Sequence, residues 1–420
     1  MSEQQTPQNK ANIVRFPASK KERRKLLRES KDKRVRIVGT LRIACGWLLV
    51  VGAFLFLLTN YQLFSPSSIR SFAEYTVAGL SRREGDITAI NYESGTFSDA
   101  ALFEAGLAYA DSDSLFLARP GSVTELTYAL GYSSPVVEAE GGYALVYDRG
   151  GMKAALVSSA GPSAELELSA PILTGSIGRG GRFVLVTDDQ GYRTAVAVYD
   201  TDGTEVFKYQ SSEYYILSAS LSPDGRTLAV LAFLQNGVAL DSHVLFYDVS
   251  SGELDADAAL SDALGIELCY QENSGAAVLC DDGVYFVTRN GNAEHLLTLA
   301  SSDLIAVASR GNAMAIAARS YSGDARADLY TVRSGTLEGP FGLAEETTAL
   351  AVSAAGTAAL SASGVTVCDT GFTPLWRNAE AVGARRILLT DNGTIYALYS
   401  RNARVFTAHS EQSEEISNAK

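Results

Sequence analysis

The chain is punctuated by eight glycine-centred turns, each followed by a strand-like run of small and apolar residues. The turn glycines are Gly106, Gly141, Gly181, Gly225, Gly275, Gly311, Gly356 and Gly393, spaced by 35, 40, 44, 50, 36, 45 and 37 residues. The clearest copy reads SLSPDGRTLAVLAF, Ser220 to Phe233. Pro223 suits the second position of a tight turn, Asp224 the third, and Gly225 closes it. Equivalent runs elsewhere read YALVY, RFVLVT, AAVLC and TIYALYS. A period near 40 with several strands per unit marks a β-propeller blade. Strands this closely spaced leave no room for crossover helices of a dozen or more residues.

The remaining strands follow from the same ruler. Third strands end in Tyr-Asp and a turn in AVAVYDTDGTEVFKY (195–209) and in HVLFYDVSSGELDA (243–256). Continuous apolar second and third strands suit sheets packed on both faces. Eight turns predict an all-β, eight-bladed propeller over residues 86–409. A seven-bladed ring is the alternative if the copy at Gly106 is incomplete. The last copy has strands near 385–390, 393–400 and 403–409 but no fourth, and DITAINYE (86–93) is free to supply it. Such a closure joins the two ends of the ring and removes an exposed edge.

What precedes the repeats is of another kind. Residues 1–42 hold 13 Lys/Arg and 4 Asp/Glu, a net of +9, whereas the rest of the chain carries −22. Between them runs IACGWLLVVGAFLFLLT, Ile43 to Thr59, extended by NYQLF to Phe64. About 20 such residues cross a hydrocarbon core of about 30 Å. The run exceeds a signal-peptide core and no small-residue cleavage site follows, so an uncleaved transmembrane helix over 43–64 is expected. Lys31, Lys33, Arg34, Arg36 and Arg42 flank its start and only Arg70 lies close after it. The N-terminus is therefore expected in the cytoplasm and the propeller outside. Residues 19–36 form a basic segment read as a solvated topology signal or as a contact for anionic lipid. Residues 65–85 are expected to make a short helical stalk, capped by Ser67 or Ser68, with Ile69, Phe72, Thr76 and Leu80 on one face. The polar 410–420 end is expected to be a disordered tail. The acidic body argues against nucleic acid as a partner.

The SPDG turn and the Tyr-Asp endings resemble WD40-like and PQQ-like propeller repeats, a likeness that implies a fold and no activity. The Trp-Asp and Gly-His marks of true WD40 blades are absent, as are the regular tryptophans of quinone-binding blades. The layout of basic tail, single span, and the linker SIRSFAEYTVAGLSRREGD before the propeller is similar to that of a family of Gram-positive membrane-anchored propeller proteins. That resemblance brings no catalytic residue, cofactor or metal with it.

Candidate chemistry is sparse. His243, His295 and His409 fall in different repeats, and a metal cluster or Ser-His-Asp triad is not expected from them. DTDGTE (200–205) starts like a calcium loop but lacks the twelve-residue spacing, so it reads as a hairpin turn. DSDS (111–114), DDG (281–283) and GRGG (178–181) read as turns too, without the strand–loop–helix setting of a phosphate cradle. If Ser274 and Gly275 form a two-residue turn, Cys269 and Cys280 lie opposite each other, either as a cross-strand disulfide or as two reduced core thiols. Two functions are left: a binding or scaffolding module for an envelope protein, peptide or glycan, and an enzyme working on the axial face of the ring.

Overall fold

Small side chains and tight turns decide this architecture, because successive hairpins must crowd around one axis. The computed structural model describes residues 89–407, apart from 122–123, 238, 273, 321–325 and 344. These form eight four-stranded antiparallel sheets. Seven are continuous in sequence, their inner strands being Asp99–Phe103, Pro135–Glu140, Ile172–Ile177, Tyr215–Leu221, Gly265–Gln271, Leu304–Arg310 and Thr347–Ser353. The eighth is composite. It takes Arg386–Leu389, Ile395–Leu398 and Asn402–Phe406 from the end of the chain and Ala89–Asn91 from its beginning. Ala89, Ile90 and Asn91 stand opposite Arg404, Ala403 and Asn402, so the expected closing strand is in place. The copy at Gly106 is a full blade of four strands, which makes the ring eight-bladed rather than seven-bladed.

Five of the turn glycines lie between the first and second strands of their blades, and Gly106, Gly275 and Gly356 open the second strand. In an antiparallel blade this puts them on one end of the ring, with the turns between third and fourth strands. The second-to-third turns and the connections between blades share the other end, called here the crossover end. Burial follows strand position. In blade 3 every residue of Phe183–Thr187 and Thr194–Tyr199 is buried, whereas the outer Glu205–Ser211 alternates. Between blades 3 and 4, Val184, Val196, Val198, Leu228, Val230 and Leu245 make one apolar cluster. Each such side chain contributes about 1.5–3 kcal/mol when taken out of water.

Inner strands carry a second regularity. In blades 3 to 7 the pairing slips by one residue near the strand's start, leaving Leu173, Leu217, Ile266, Ile305 and Thr348 unpaired. A bulge of this kind increases twist and re-aims the side chains that follow it.

The basic tail 1–42, the span 43–64, the stalk 65–85, His409 and the tail 410–420 lie outside the described residues. Among the described residues, no helix is long and apolar enough to cross a membrane.

Candidate functional site

The inner strands are mostly small and aliphatic residues, so an ionisable residue set among them stands out by position. Glu138 of blade 2 and Glu267 of blade 5 are two such residues, with Asp99, Arg310 and Arg386 on blades 1, 6 and 8. Two cavities of about 370 and 340 Å³ share Glu138, Ala139, Glu267, Ser309 and Arg310 in their linings. The larger of the two also takes in Thr174, Ser176, Ser218 and Ser220, and the smaller reaches Arg386. Together they form one axial channel whose polar waist is the pair of glutamates. A wider cavity of about 740 Å³ opens at the glycine-turn end, lined by Glu104, Glu140, Arg310 and Asp391 among others.

Each charge of the channel has a distinct environment. Arg386 Nη1 donates to Asp99 Oδ1 at 2.6 Å, while Asp99 Oδ2 accepts the Val137 N–H at 2.9 Å. These bonds tie blade 8 to blade 1 and blade 1 to blade 2. Arg310 Nη1 reaches past blade 7 to donate to the Leu389 carbonyl at 2.7 Å and lies 3.3 Å from Asp391 Oδ1. Glu267 accepts from Ser309 Oγ at 2.6 Å, and burial pushes its carboxyl above the usual range. Glu138 is exposed to the water of the channel although protein encloses it. That enclosure, with Asp99 and Glu267 as like charges, pushes its carboxyl up to about 7 against the pull of Arg386 and Arg149.

A third perturbed carboxylate sits in the turn between the third and fourth strands of blade 1. Glu125 is 4% exposed, with Oε2 3.5 Å from Arg119 Nε and with Oε1 buried without a hydrogen bond. Burial raises it to about 7, more than Arg119 lowers it. A carboxyl whose folded pKa exceeds its unfolded value contributes stability at low pH and loses it as pH rises, here between about 4.5 and 7. The wild-type chain is therefore expected to lose stability at this site over that window, by no more than about 3 kcal/mol. Glu125→Gln should remove that part of the slope in urea denaturation at pH 5 and pH 8; identical slopes would refute the assignment.

The residues singled out in the sequence lie elsewhere. The cysteines do not face each other: Cys269 is opposite Ala277, and Cys280 is opposite Gly265. Gln271 pairs directly with Gly275, so the turn is longer than two residues and the register moves. Cys269, Cys280 and Cys368 are free and buried, and burial lifts their thiols to about 12, 12 and 11, away from the reactive thiolate. His243 Nδ1 lies 2.6 Å from Asp257 Oδ1, whose partner oxygen accepts from Tyr214 at 3.1 Å. His295 packs on the Tyr285 ring in the next blade.

The acidic motifs are turns. Asp111 Oδ1 accepts the N–H groups of Asp113 and Ser114, and Asp202 Oδ1 accepts that of Thr204. No group of three His, Cys, Asp or Glu able to hold a metal occurs among the described residues. Sequence reading passed over Glu138 and Glu267. Their signal was present: two carboxylates, Glu138 and Glu140, in VVEAE and one, Glu267, in GIELC, where the repeat calls for small or apolar residues.

The model of a family of unknown function, DUF5711, matches residues 91–332. No curated protein matches the chain. Among solved structures, BamB from Moraxella catarrhalis is similar over 77% of this chain and 99% of its own, with 14% identity and a TM-score of 0.51. The tricorn protease is similar over 71% of this chain and 36% of its own, at 11% identity and TM-score 0.48. The β-propeller domain of Myceliophteria thermophila Cps50 (Swd1) matches over 78% and 98%, at 12% identity and TM-score 0.42. The likeness to BamB is one of fold.

Proposed function

Because the chain belongs to the DUF5711 family of unknown function, we propose from its own geometry that it is a binding or scaffolding module of the cell envelope. In this reading residues 43–64 hold it in the membrane lipid, residues 19–36 face anionic lipid in the cytoplasm, and the ring stands outside. Its ligand is a protein, peptide or glycan. The observation that carries the reading is the axial channel, where Arg386 and Arg310 are engaged by other blades while the Glu138 carboxyl stays open to water.

The test is site-specific photo-crosslinking in intact cells. A crosslinker at Ser218 in the channel or at Tyr192 on the crossover end should capture one recurrent adduct. One at Leu254 on an outer strand should capture none. Equal capture at all three positions, or none anywhere, would remove the reading. Protease added to wall-stripped cells should cut the ring and spare residues 1–42; the reverse pattern would invert the orientation.

A second reading, an enzyme of the axial face, has one observation in its favour: a carboxyl with pKa about 7 serves as acid or base near neutral pH. Infrared titration of the wild-type protein is expected to show protonated carboxyl near pH 6 that is gone by pH 8; the band should shrink in Glu138→Gln and vanish only when Glu125→Gln is added. A small molecule recovered intact from that variant but converted by wild type would favour the enzyme. The same unchanged compound from both would favour binding.

A further inference from the structure

Blade 4 departs from its neighbours. Its second and third strands, Thr227–Asn236 and Ala239–Asp248, have 10 residues each, where the corresponding strands of the other blades have four to seven. The inner strand begins at Tyr215, opposite Phe233, and the outer strand ends at Leu260, opposite Ser242. Beyond those points Leu234–Asn236 and Ala239–Asp241 pair only with each other, as a two-stranded ribbon projecting from the crossover end. Its outer side is approached by the chain, since the Asp262 N–H donates to Asp241 Oδ1 at 2.9 Å. Its inner side, along Leu234–Asn236, has no strand beside it among the described residues. A bare strand edge of this kind is a template for backbone hydrogen bonding, which most proteins cover or blunt.

The surroundings select the chemistry of what fits there. The crossover-end segments of blades 4 and 5 (212–215, 233–242, 261–265, 280–283 and 298–304) contain six carboxylates and no Lys or Arg. They are Glu213, Asp241, Asp262, Asp281, Asp282 and Asp303. The guanidinium groups bordering this sector have other partners. Arg193 lies over the Tyr215 ring at 4.6 Å and donates to the Ser212 carbonyl, and Arg319 donates to the Ser302 carbonyl at 3.0 Å. Apolar footing is present too: Tyr215, Leu240 and Ile266 are 39%, 37% and 44% exposed.

We propose that this ribbon is a docking edge for an extended, cationic segment of a partner protein, which adds to it as a strand. The proposal rests on the binding-module reading and names the class of partner. Backbone groups along Leu234–Asn236 pair with the segment, its apolar side chains settle towards Tyr215 and Ile266, and its Lys or Arg side chains meet the carboxylates of Glu213, Asp262 and Asp303. Alternation of the two side-chain types follows from the two-residue period of a strand.

Fluorescence polarisation of the full-length chain in detergent micelles tests it, with a labelled decapeptide of alternating Lys and Ile as the probe. Binding should weaken at least tenfold when alternate peptide amides are N-methylated. It should weaken as much in a variant whose residues 234–241 are replaced by Asn-Gly, which gives blade 4 strands of ordinary length. Glu213→Gln, Asp262→Asn and Asp303→Asn together should weaken it tenfold and flatten its salt dependence. Failure of the Lys-Ile peptide to bind, or equal binding of the N-methylated peptide, would overturn the proposal, the latter showing diffuse charge attraction only. These two arms use the intact chain, so they decide even if the shortened ribbon does not fold. Crosslinks retained at Ser218 but absent at Leu240 would refute the ribbon while sparing the binding-module reading; silence at both would refute the two together.

Discussion

Gln271→Leu should destabilise the ring by about 2–4 kcal/mol, the largest loss expected from a single polar side chain here. Gln271 is fully buried on the inner strand of blade 5. Its Nε2 donates to the Val332 carbonyl at 2.9 Å and its Oε1 accepts the Gly335 N–H at 2.8 Å, both on blade 6. Leucine keeps the volume but leaves a buried donor and acceptor without partners, each worth about 1–3 kcal/mol of desolvation. The control is Gln210→Leu, since Gln210 is exposed and bonds only Asp189 at its own blade's end. Urea denaturation should show a clear drop in midpoint for the first variant and a shift within about 0.5 kcal/mol for the second. Equal shifts would mean that the blade 5–6 contact is not held by this amide.

The second large effect separates glycines that look alike in sequence. A Cβ on Gly356, whose φ is +145°, would lie 2.0 Å from the Cys368 carbonyl oxygen. That oxygen belongs to the third strand of the same blade, so it cannot yield without breaking the ladder that pairs Thr357 with Cys368. Gly275 and Gly106 meet the same obstacle, at 2.1 Å from Val287 O and 2.2 Å from Ala118 O. Gly393 has φ +81° but open space around it. Gly356→Ala is expected to cost about 3 kcal/mol or more, by backbone strain and overlap together. Gly393→Ala should cost about 1 kcal/mol, by conformation alone. Calorimetry should therefore show a fall in Tm several times larger for Gly356→Ala; matching falls would show that the close approach is not binding on the fold.

Legibility in the sequence varied with the range of the interaction. Turn glycines, Tyr-Asp strand ends and the missing outer strand of the last copy are local features, and each led to the right blade. The composite eighth blade was readable because three strands at 386–406 need a fourth and residues 89–91 had no other partner. The Cys269–Cys280 register was misread because it hangs on the place and length of one turn, which lies before Gly275 and moves the partner of Cys269 to Ala277.

The axial site lay beyond the sequence for a related reason. Glu138, Glu267, Asp99 and Arg386 are separated by tens to hundreds of residues and meet only because eight blades share an axis. Bulges at Leu173, Leu217, Ile266, Ile305 and Thr348 shift the inner-strand alternation by one, so that no simple period tells which side chain reaches the channel. The order and number of blades were thus determined by the chain itself, since a hairpin's turn and its small apolar strands specify each other over a few residues. Which charges stand together on the axis was decided by twist and closure of the whole ring, where the position of one side chain depends on every blade between it and its neighbour.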